Sequence, residues 1–89
     1  MTNQITPDFF KKIQASDVKQ LVEGKGSATL HGISCKVTSP SYDDAGLNTV
    51  LQDYQCTVKI VGQPTSNKAT YEVSGRGKSL QVEIAAAAN

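Results

Sequence analysis

Eighty-nine residues with a net charge of +1, 38% hydrophobic and 19% charged, describe one ordinary folding domain, neither disordered nor strongly basic. Charge is balanced locally too: four lysines face three acids in the first 26 residues, and five basic residues face five acidic ones in the rest. That balance argues against a general nucleic-acid or anionic-membrane surface. The longest apolar run, Ile84 to Ala88, is far short of the ~20 residues a membrane span requires. Met1 to Gln14 shows no basic-then-apolar leader pattern.

Residues 1–5 are polar and expected to fray. Thr6-Pro7-Asp8 has the form of a helix start: a capping hydroxyl, proline at the first helical position and an acid in the first turn. Helix is predicted over 7–23, with Phe9, Phe10 and Ile13 as its first apolar stripe and Val18, Leu21 and Val22 as its second. A break is expected near Ala15–Ser16, with Ser16-Asp17 capping the second part and Gly24 ending it.

From Ser27 the apolar period changes to two. One strand is predicted over 27–39, with Ala28 and Leu30 in phase, then Ile33, Cys35 and Val37 in phase. The two sets differ by an odd step at Gly32, which a β-bulge would absorb. Tyr42 to Gln52 reads as a long connection centred on Asp43-Asp44-Ala45-Gly46, with local helix at Leu47–Leu51. Strands follow over 53–62 (Tyr54, Cys56, Val58 and Ile60 on one face), 69–75 (Ala69, Tyr71, Val73) and 78–84 (Leu80, Val82, Ile84). The loop at 62–68 is rich in turn formers, and 85–89 is expected to be a frayed tail.

In antiparallel hairpins, each turn position fixes the register. A turn at Arg76-Gly77 sets Val73 opposite Leu80 and Tyr71 opposite Val82, and the preceding loop sets Val58 opposite Val73 and Ile60 opposite Tyr71. Every apolar set then shares one face, while Thr57, Lys59, Thr70, Glu72, Ser74, Gln81 and Glu83 occupy the other. The expected fold is a two-layer α+β domain: an N-terminal helical segment on a four-stranded antiparallel β-meander, in α-β-β-β-β order. That order is similar to the one in cystatin-like inhibitors, but their glycine-containing inhibitory loop is not evident here, so the likeness implies architecture alone.

The cysteines and the single histidine bound the chemistry. Centring the long connection near Gly46 sets Cys35 opposite Cys56, with Cβ atoms about 4.5–5.5 Å apart, slightly beyond ideal disulfide geometry. The expectation is a structural disulfide and an oxidising compartment, secreted or periplasmic; two free buried thiols in a cytoplasmic protein are the alternative. No CxxC or HxxxH spacing exists, so no metal or cofactor is expected. His31 and Cys35 lie four residues apart, about 13 Å along one strand, too far for a nucleophile and its base. Asp43-Asp44 reads as a pair of solvated turn formers, and Gly75-Arg76-Gly77-Lys78 lacks the spacing and following helix of a phosphate loop.

These readings point to a non-catalytic protein-binding domain of the secreted or periplasmic inhibitor, immunity or accessory type. Its partner is expected to be another protein, with no nucleic acid and no membrane span. The loops at 40–52 and 62–68 offer Tyr42, Asp43, Asp44, Leu47, Gln63, Pro64 and Thr65 as contact residues. Two alternatives stand beside this reading. One is a small-ligand carrier with a pocket lined by Phe9, Phe10, Leu21 and Tyr71; the other is a cytosolic phage or regulatory protein with reduced thiols.

Overall fold

The computed structural model describes residues 7–52, 55–65 and 67–87. The cap expected at Thr6 and the inward placement expected of Tyr54 lie outside them.

The helical segment breaks two residues earlier than the sequence suggests. Helix α1 spans Pro7–Lys11 and α2 spans Ala15–Glu23, with Gln14 rather than Ser16 at the α2 N-cap. The reason is Asp17: from the third position of the helix its Oδ2 reaches back to accept the Gln14 backbone N–H at 2.8 Å. Gly24 is the C-cap, as expected. The left-handed turn after it falls on Lys25, and the Gly26 N–H closes on the Leu21 carbonyl at 2.7 Å.

The predicted 27–39 strand is two strands. β1 (Ser27–Leu30) and β2 (Ile33–Ser39) form a hairpin that sets Leu30 opposite Ile33 and Ala28 opposite Cys35. His31 (φ 51) and Gly32 (φ 86) are both left-handed, the form of a two-residue turn whose twist matches the flanking strands. The odd step in the apolar pattern is therefore a chain reversal; a bulge does occur, but at Val37/Ser39, where β2 meets the last strand.

The long connection holds α3 (Ala45–Gln52), which buries Leu47, Val50 and Leu51 as one stripe at helical spacing. β3 (Thr57–Val61), β4 (Lys68–Gly75) and β5 (Lys78–Ala86) follow. Their register is the one the turns dictate: Val58 opposite Val73, Ile60 opposite Tyr71, Val73 opposite Leu80 and Tyr71 opposite Val82. β5 runs on through Ala85 and Ala86, which pair with Lys36 and Cys35, so the tail expected to fray from 85 is sheet to Ala86.

The domain is α+β, with a five-stranded antiparallel sheet in the order β1-β2-β5-β4-β3. A meander would have set β2 beside β3. Instead α3 carries the chain beneath β4 and β5 to the far edge, and β5 fills the place next to β2. α2 packs on β1 and β2, and α3 packs on β4 and β5. Phe10, Val18, Leu21, Leu30, Leu47, Val50, Tyr71, Val73, Val82 and Ile84 are all but inaccessible between the layers. The Tyr71 hydroxyl donates to the Phe10 carbonyl at 2.8 Å and ties α1 to the sheet centre.

Candidate functional site

The 40–52 segment is more structured than a presenting loop. Asp44 is the N-cap of α3: its Oδ1 accepts the backbone N–H groups of Gly46 at 2.8 Å and Leu47 at 3.2 Å. Leu47 has 0% exposure and belongs to the core, which removes it as a contact residue. Tyr42 is exposed at 36%, with its ring lying over Gly26, where a Cβ would come within 3.1 Å of its Cδ1. Asp43 is exposed and makes no hydrogen bond or ion pair with a described residue.

At the other edge, Gln63 is exposed, Pro64 is half-buried, and Thr65 fixes the β3–β4 turn. The Thr65 N–H donates to the Lys68 carbonyl at 2.8 Å, and its hydroxyl accepts the Lys68 N–H at 3.2 Å. The two loops do not converge. Tyr42 sits by the start of β1 and Gln63 to Thr65 follow the end of β3, so the width of the sheet lies between them.

The cysteines do not meet. Cys35 stands opposite Ala86, while Cys56 precedes Thr57, whose row runs through Ser74 and Ser79. Three strand spacings across and about seven residue rises along the sheet separate the rows, on the order of 25 Å, against the ~7 Å limit for a disulfide. Both thiols are free and buried. Burial pushes the Cys35 thiol up to about 11; a backbone contact from Leu30 opposes the rise, and the Asp17 charge adds to it. A thiol held neutral in this way is a small core hydrophobe, not a nucleophile at neutral pH.

The structure adds one pairing that the sequence reading missed. His31, at the tip of the β1–β2 hairpin, places Nε2 3.2 Å from Asp17 Oδ2, and its ring meets Phe9 edge-on at 6.4 Å between centroids. The Asp17 carboxylate therefore serves two partners, the Gln14 N–H and His31, and clasps the hairpin to the start of α2. The available signal was His31-Gly32 between two apolar sets, a turn signature that would have brought His31 back toward the helix. Among the described residues no group of three His, Cys, Asp or Glu side chains is arranged to hold a metal ion.

What remains is surface of a particular kind. The outer face of the sheet carries serine, threonine and charged side chains. At its margin β3 pairs, among the described residues, only with β4. Val58 and Ile60, turned toward the helix side, stay half-buried because α3 lies over β4 and β5, and Val61 is exposed at 37% on the other face. Apolar side chains beside an unpaired main-chain edge are what a further strand would cover. Among the described residues no helix is long and apolar enough to cross a membrane. Compared with family models, curated proteins and solved structures, the chain matches none.

Proposed function

We propose that this domain is a non-catalytic protein-binding module, and that it engages its partner by accepting an extended segment alongside β3. The observation that carries the reading is a margin of the sheet that no described residue pairs with. β3 lies outside the helix layer, its outer edge pairs with no described residue, and Val58, Ile60 and Val61 are incompletely buried there. An added strand gains main-chain hydrogen bonds from the edge and specificity from alternate side chains.

Lys59 selects among partners. It stands mid-strand on the outer face, so two copies of β3 paired antiparallel about their centres would set lysine against lysine. A segment with an acidic residue opposite Lys59, flanked by apolar residues over Val58 and Ile60, suits the edge better. Gln63 and Pro64 continue the same margin beyond Gly62 and remain contact candidates; Tyr42 and Asp43 belong to a separate corner.

An inhibitor, immunity or accessory role fits such a module. The secreted or periplasmic compartment loses its ground with the disulfide, and two free thiols agree equally with the cytosolic alternative. The carrier alternative is less well supported, because Phe9, Phe10, Leu21 and Tyr71 pack into one continuous core.

Selection of short peptides from a random library, followed by amide chemical-shift mapping, tests the proposal. The expected result is shifts concentrated at Thr57–Val61, enrichment of an acidic residue, and about tenfold weaker binding by Lys59→Glu. Binders that map to the Tyr42 corner or the helices, with β3 unaffected, would overturn it.

A further inference from the structure

We propose that the open face of the sheet carries a binding site for a compact oxyanion, a phosphate or carboxylate group, held between Lys36 and Lys68 above Ala85. The register builds this site. Ser27, Lys36, Ala85 and Lys68 stand side by side on β1, β2, β5 and β4. In this row two long cationic side chains flank a single methyl group. The result is a depression of about 430 Å³ lined by these residues, with Ser34 and Asn67 also contributing. Ala85 is buried to 6% exposure although it lies on the outer face and outside the hydrophobic core, as the floor of a concavity would be.

The charges are incompletely answered within the domain. Lys36 forms no ion pair with a described residue, and Lys68 reaches Glu83 only at 4.0 Å. Glu83 is itself engaged, accepting the Thr38 hydroxyl at 2.6 Å. Lys36 and Lys68 are two strand spacings apart, about 9.6 Å between Cα atoms, so their ammonium groups can converge above Ala85. Two cations at the rim of a concavity raise the local anion concentration more than they would on a flat surface. The Ser27 and Ser34 hydroxyls and the Asn67 amide supply neutral donors. The volume exceeds a bare ion and suits an oxyanion carried on a small organic body.

This site is independent of the β3 edge, and its test leaves that reading untouched. The full chain is titrated, at constant ionic strength set with sodium chloride, with inorganic phosphate in one arm and succinate in the other, and amide shifts are followed by NMR. The proposal expects saturable shifts at Ser34, Lys36, Asn67, Lys68 and Ala85 in at least one arm; the arm that saturates at lower concentration identifies the group. Lys36→Gln with Lys68→Gln keeps most of each aliphatic stem and should weaken binding about tenfold or more with an unchanged melting temperature. Should the double variant fail to fold, Lys36→Gln alone serves, since it has no ion pair with a described residue to lose. Shifts no larger than those caused by chloride, shifts elsewhere on the molecule, or affinity unaltered in the lysine variants would overturn the proposal.

Discussion

Asp43 and Asp44 are adjacent and alike in sequence, yet the structure gives them unlike energies. Asp44 Oδ1 accepts the N–H groups of Gly46 and Leu47, and its own carbonyl accepts the Asn48 N–H at 3.0 Å, the first bond of α3. Losing an N-cap costs about 1 kcal/mol, and losing a negative charge at a helix N-terminus costs about 0.3–1 kcal/mol more. Asp44→Ala should therefore destabilise the domain by about 1–2 kcal/mol, a fall in melting temperature of roughly 5–10 °C for a domain of this size. The loss should register in the global transition, because α3 buries Leu47, Val50 and Leu51 against the sheet. Asp44→Asn keeps an accepting oxygen and should lose less than about 1 kcal/mol. Asp43→Ala, which removes no contact to a described residue, should stay within about 0.5 kcal/mol. Urea unfolding of the three variants, monitored by circular dichroism, decides the matter. Equal losses at Asp43 and Asp44, or an asparagine as damaging as alanine, would refute the capping argument.

Three further expectations follow from the core and the cysteines. Val73→Ala, at a site with 0% exposure, should cost on the order of 2–3 kcal/mol in denaturant unfolding, whereas Thr57→Ala on the exposed face should cost less than about 0.5 kcal/mol; similar values would mean that the faces are misassigned. Intact mass of native, air-exposed protein should show two free thiols, because the strand order holds Cys35 and Cys56 apart; a linked pair would contradict that order. Stability should also decline in alkali. The folded chain keeps the Cys35 proton that the unfolded chain releases above its ordinary value of 9.0, so nothing is lost below that pH, and stability falls as pH climbs toward about 11. Tyr71, raised chiefly by burial, acts in the same direction higher in the alkaline range, and Cys35→Ala should flatten the first part of the decline.

Much of the sheet was legible in the sequence because alternation and turn chemistry agree there. Val58, Ile60, Tyr71, Val73, Leu80 and Val82 follow a strict period of two, and Arg76-Gly77 takes the two-residue turn that the hairpin demands. The β1–β2 hairpin has the same chemistry at His31-Gly32. It was hidden because an odd step in the apolar phase fits a bulge as well as a reversal.

The disulfide expectation failed for a related reason. Alternation fixes the face on which Cys35 and Cys56 lie; it does not say which strand stands next to which. The β2–β5 pairing joins segments far apart in sequence, and no local signal announces it. The candidate sites share that limit. The position of β3 at the margin and the row that joins Lys36, Ala85 and Lys68 both depend on strand order. Leu47, by contrast, was readable as core, since Leu47, Val50 and Leu51 have helical spacing.

The most direct test of the central claim, strand addition at β3, is a backbone N-methylation scan of a selected peptide partner. An added strand directs every second amide toward β3 and the others away. The account predicts an alternating pattern: methylation at every second position abolishes binding, and methylation between those positions is tolerated. Affinities that fall without alternation, or that are indifferent to methylation throughout, would contradict it.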